Sequence, residues 1–120
     1  MMVLMIALGA MVGAPVRYLT DRAIQSRHGT VFPWGTLTVN ITASLILGVV
    51  TGATTHLSPE LTALIGTGFC GALSTYSTFS YEVMQLSAEG ARFQAALNVA
   101  ISLTAGIGAA ALGWSIGAAF

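Results

Sequence analysis

The sequence predicts an all-α integral membrane protein of four transmembrane helices, the third of them broken at mid-membrane. Hydrophobic residues make up 55% of the 120 and charged residues only 7%, with a mean hydropathy of +0.82, so the chain lacks the charged surface of a soluble domain. Charge-free windows at residues 1–16, 31–55, 61–81 and 93–120 are each near or above the ~17–25 residues that a spanning helix needs. The third window has the length of a span but not its chemistry: Gly71, Ser74, Thr75, Ser77, Thr78 and Ser80 interrupt it. Glycine weakens a helix and Ser/Thr side chains compete for its backbone hydrogen bonds, so a local break is expected between Gly71 and Tyr76. A break at membrane depth frees carbonyls and amides, which persist only against protein, a water-filled cavity or an ion.

In order along the chain, the spans are expected at roughly residues 1–22, 32–55, 60–87 and 92–119, forming one compact domain. The first window is short, but Arg17 near its end can snorkel, which extends the helix to about Arg22. Turn signals at residues 26–33, 56–59 and 88–91 separate the spans. Ser58, Pro59 and Glu60 read as a helix start, with serine capping and proline at the first helical position. No basic segment opens the chain as a signal peptide would.

All four basic residues, Arg17, Arg22, Arg27 and Arg92, fall in or beside the loops after the first and third spans. Basic loops stay in the cytoplasm, so both termini are expected outside. Lysine is absent and formal net charge is zero, which excludes nucleic-acid binding and a polybasic lipid patch. A single cysteine, Cys70, and two distant histidines leave no disulfide and no metal-ligand cluster. Cys70 is read as a small packing residue. Nothing in the sequence pairs a nucleophile with a base, so the chain is not read as an enzyme.

Thr36, Asn40, Ser44, Gly48 and Gly52 recur every four residues and form one stripe on the second helix. The glycines fit close helix packing. Asn40, an amide near the middle of an apolar span, is expensive against lipid and is expected to line a polar path or to bond across a helix interface. The fourth span repeats the stripe with Asn98, Ser102, Gly106, Ala110 and Gly113. Packing accounts for Gly106 onward, whereas Asn98 and Ser102 either line a pathway or bond another helix. Tyr76 and Phe79, three apart, share a face if the helix resumes after the break. Aromatic edges are positive, so two of them turned toward a pore can coordinate an anion, although such stripes are more often packed core or lipid-facing. Arg17 and Glu82 lie toward the same side, where they form either an ion pair or part of a vestibule.

Three motifs resemble the small fluoride channels known as Fluc or CrcB. They are Gly-Ala-x-x-Arg-Tyr at residues 13–18, Gly-Thr-Leu-Thr-Val-Asn at 35–40, and the run from Gly68 to Glu82; the resemblance covers essentially the whole chain. It implies an antiparallel, dual-topology-type dimer in the cell membrane, with two fluoride pathways and a structural sodium ion at the dimer centre. Asn40, Tyr76, Phe79, Ser77, Thr78, Asn98 and Ser102 would then border the fluoride pathway, and Gly71 and Ser74 would offer backbone carbonyls to sodium. Tyr76 stands where the family has a phenylalanine, and Gly106 and Ala110 lack the hydroxyls often found there. Four arginines against none favour one insertion direction, so the dimer is either a homodimer or a heterodimer with a homologous subunit of opposite orientation. The alternative function is that of a non-conducting or half-functional partner in such a heterodimer.

Overall fold

A computed structural model describes residues 2–28, 32–53, 56–74 and 76–119; the side chains of His28, Tyr76 and Ser77 lie outside that description, as does Thr75. The described chain is helical throughout, with short connections. α1 runs Met2–His28, α2 Trp34–Gly52 and α3 Pro59–Thr62. A π-helical stretch follows at Ala63–Cys70, then α4 (Gly71–Leu73), α5 (Tyr76–Ala88) and α6 (Arg92–Ala118). The longest dimension, 47 Å, is close to the roughly 40–45 Å of a bilayer with its headgroups.

Three helices, Met2–Arg27, Trp34–Gly52 and Arg92–Ala118, are each long and apolar enough to cross a membrane. α1 continues to His28, past the expected end near Arg22, and passes through Pro15 without ending. Neighbouring helices make such a proline tolerable at membrane depth. The third segment is divided. Ser58 caps its start, accepting from the Leu61 amide at 3.1 Å, with Pro59 in the first turn as the sequence predicts. The helix stops at Ser74, whose extended backbone (φ −79°, ψ 157°) lies inside the expected window from Gly71 to Tyr76.

α2 is the hub. It packs most extensively on α6 and also touches α1 and the third segment, while α1 packs on the π-helical stretch and on α4. Both main seams are made of glycine. On α2, a Cβ at Gly48 would strike Ala110 of α6, and one at Gly52 would strike Trp114. From the other side, Gly113 and Gly117 lie against the backbone of Leu45 and Val49. In the second seam, Gly68 presses on Ile6 and Gly9 of α1, and Gly13 on Phe69. Small residues let backbones approach this closely, which supplies dispersion where lipid removes the hydrophobic drive. Where α1, α2 and the third segment meet, Val39, Ala43, Cys70 and Leu73 form a buried cluster with Val16, Ile46 and Phe69 around it. Cys70 is thus a packing residue, 2% exposed.

Candidate ion pathway

The break in the third segment borders a cleft of about 340 Å³ lined by Ala43, Ser44, Leu47, Gly66, Thr67, Cys70, Gly71 and Ser74. The α2 stripe supplies Ser44; the broken segment supplies the remaining polar groups. Ser74 turns its hydroxyl back to the Cys70 carbonyl at 2.9 Å, and its amide bonds the same carbonyl. Gly71 is exposed, with no heavy atom within 4 Å of where its Cβ would stand. Thr67 is exposed beside it. Carbonyl and hydroxyl oxygens are hard donors of the kind that suit alkali and alkaline-earth cations, so Gly71 and Ser74 fit the sodium expected from the resemblance.

A second cleft, about 250 Å³, is lined by Arg17, Tyr18, Asp21, Thr36, Val39 and Thr78. It joins the end of α1 to the first turn of α2 and the start of α5. Asn40 and Phe79 are half-buried and line neither of these two clefts. α5 begins at Tyr76, so helical spacing relates Tyr76, Thr78 and Phe79; the side chains of Tyr76 and Ser77 lie outside the described residues.

The direction of each hydroxyl proton decides what it can offer an anion. Thr38, Ser44 and Thr51 all donate to the carbonyl four residues back, on Trp34, Asn40 and Leu47, at 2.7–2.8 Å. Their protons are therefore committed to the α2 backbone. On α6 the pattern differs. Ser102 donates to Asn98 Oδ1 at 3.1 Å, while Asn98 is 1% exposed and its Nδ2 has no partner. A buried amide nitrogen left unpaired costs free energy, and a site that receives an anion recovers it.

Glu82 has a comparable orphan, a buried Oε1 without a partner, and its carboxylate bonds the Thr36 side chain. Thr36 itself is 2% exposed. Among the described residues no ion pair links Arg17 and Glu82; Thr36 lies beside Glu82 and lines the cleft that Arg17 borders. The sequence reading gave Gly106 to close packing. Its Cβ position is in ordinary contact, 3.8 Å from the Ser44 hydroxyl, and Gly108 meets nothing, so the tight seam runs from Ala110 to Gly117. The Glu82–Thr36 bond had no sequence signal, since the partners lie on different segments. Asn98 and Ser102, expected to line a pathway or bond another helix, bond each other on the same helix, as their i, i+4 spacing permits.

Long apolar helices, with polar groups gathered in a cleft at a helix break, define a multi-pass helical membrane protein. The chain belongs to the family described as "CrcB-like protein, Camphor Resistance (CrcB)", which it matches over residues 4–114. It is 60% identical over 117 residues to a Frankia casuarinae protein named "Fluoride-specific ion channel FluC 1", covering 92% of this chain and 91% of that one. A Streptomyces avermitilis protein of the same name is 56% identical over 112 residues, 92% of this chain and 90% of the other. A Shewanella sp. (strain ANA-3) "Fluoride-specific ion channel FluC" is 48% identical over 103 residues, 84% of this chain and 83% of its own length.

Proposed function

We propose that this chain is a subunit of a fluoride-selective channel that lets cytoplasmic fluoride leave passively and so lowers its toxicity. The observation that carries the reading is the broken third segment with its polar cleft, in a chain whose relatives are named fluoride-specific channels. α3 through α5 together form the fourth crossing. Hydrogen fluoride enters a cell as the neutral acid and ionises near neutral pH; the trapped anion then needs a path out.

Fluoride is small and strongly hydrated, so its passage requires donors that replace water. The amide of Asn40 and the unpaired Asn98 Nδ2 supply them, with Ser102 holding the Asn98 amide in place by bonding its oxygen. Ring edges of Tyr76 and Phe79 extend the path along α5, beside Ser77 and Thr78. Arg17 and Glu82 sit at the vestibule end.

The exposed Thr67 and Gly71 also support a dimer. Polar groups facing lipid would be unsatisfied, and a second subunit, antiparallel to the first, covers them. Gly71 and Ser74 carbonyls from both subunits would hold sodium on the two-fold axis, where its fixed positive charge offsets anion desolvation. Fluoride efflux from liposomes holding the purified chain tests this reading. Selective fluoride efflux over chloride supports it; equal flux of both ions, or no fluoride flux from the chain either alone or with a homologous subunit, overturns it.

One observation favours a second arrangement. All four arginines lie in or beside the same two connections, a bias that drives one insertion direction rather than two. The chain then pairs with a homologous subunit of opposite orientation and conducts only in that company. Antiparallel, fluoride-conducting dimers formed by this chain alone would rule out an obligate heterodimer.

A further inference from the structure

α2 starts without a cap of its own. Pro33 stands at its N-cap and no side chain of the helix bonds its first amides. Orphan amides at a helix start need an acceptor, most often a serine, threonine or aspartate at the cap. Here the acceptor comes from another helix. Gln25, in the last turns of α1, accepts from the Gly35 amide through Oε1 at 3.3 Å and donates through Nε2 to the Phe32 carbonyl at 3.2 Å. One side-chain amide thus ties both sides of the α2 start to α1.

The surroundings make this joint tight. Phe32 and Pro33 are buried, and the Phe32 and Trp34 rings meet at 4.7 Å between centroids, tilted by 49°. Gly35 lies so close to α1 that a Cβ would meet the Asp21 backbone at 2.8 Å. The residue after Gly35 is Thr36, which bonds Glu82, and Asn40 follows one turn later. Gln25 also lines a polar cleft of about 200 Å³ with Pro33, Glu82, Gln85, Leu86 and Glu89.

We propose that Gln25 is a positioning residue for ion conduction: by capping α2 from α1 it fixes the register in which α2 presents Thr36 to Glu82 and Asn40 to the pathway. Gln25 touches no ion; it acts through the α2 backbone. Its role in conduction rests on the fluoride-channel reading, whereas the cap itself does not.

The test uses the whole chain in two formats. In a Cys70→Ala, Thr36→Cys background, a membrane-impermeant maleimide reports whether position 36 stays buried. In the native background, liposome efflux reports fluoride conduction. Gln25→Met keeps the volume and removes both bonds; it should raise the labelling rate of position 36 about tenfold and lower fluoride flux about fivefold, the scale of one or two lost hydrogen bonds. Gln25→Glu keeps the acceptor for Gly35 and should hold labelling within about twofold of the Gln25 parent, which also covers the case in which the methionine variant does not fold. Gln85→Met, in the same cleft but outside the bridge, should change neither readout.

Unchanged labelling in Gln25→Met overturns the cap. Raised labelling with undiminished fluoride flux overturns the role in conduction. If the native chain passes no fluoride either alone or with a homologous subunit, the channel reading falls while the labelling rates still decide the cap.

Discussion

Along α2, Thr36, Asn40 and Ser44 share a stripe with Gly48 and Gly52, and the two halves of that stripe meet different neighbours. The glycine half lies against the α6 backbone at Ala110 and Trp114, with Gly113 and Gly117 answering from α6. Toward the polar half the α2–α6 seam loosens; Ser44 borders a cleft, and Thr36 binds Glu82 of the third segment. Spacing alone says which residues share a face, not what the face meets. In the glycine half, backbones in contact supply cohesion, and in the polar half the same helix borders clefts at Thr36 and Ser44.

The largest effect should come from closing the glycine half. Gly48→Val combined with Gly113→Val drives branched side chains into facing backbones at two points, at about 2–3 kcal/mol each. Little folded protein should survive size exclusion in detergent. Retention of the native elution and melting point would mean that the seam is not the source of cohesion.

Next in size is a charge in the polar half. Asn40→Asp replaces a donor with an anion, and repulsion at contact distance should cut fluoride flux by about a hundredfold while leaving the melting point within a few degrees. Undiminished flux would remove Asn40 from the pathway. Asn98→Leu separates the two kinds of effect on α6. Removing a buried unpaired amide should leave stability equal or higher and lower fluoride flux about fivefold. A marked loss of stability would instead identify Asn98 as a structural group.

The smallest effect is expected at the loosened end of the seam. Gly106→Ser adds a hydroxyl where only the Ser44 oxygen is near, so stability should move by no more than about 0.5 kcal/mol. A cost like that of Gly113→Val would show that the tight seam extends farther than the geometry indicates.

Much of this contrast was legible in the sequence. The hydroxyl run and glycines placed the break correctly because both act locally on helix propensity, and Ser58 announced its helix because a cap is read from neighbours. Glycines at spacing four announced close helix packing, though not which helix would meet them. What could not be read were partnerships between distant segments. Gln25 capping α2, and Thr36 bonding Glu82, depend on how helices are set side by side. Gly106 was given to packing because its spacing matched that of Gly113; how closely two helices approach varies along a seam, and spacing carries no record of it. The π-helical winding over Ala63–Cys70 likewise had no sequence signal beyond its glycines, although such winding is common near functional sites.

Anion efflux from liposomes loaded with either fluoride or chloride, each holding the purified chain alone and then the chain with a homologous subunit, tests the central claim most directly. The account predicts rapid fluoride efflux with little chloride efflux in at least one of the two preparations. Equal permeability to both ions, or none to fluoride in either preparation, would contradict it.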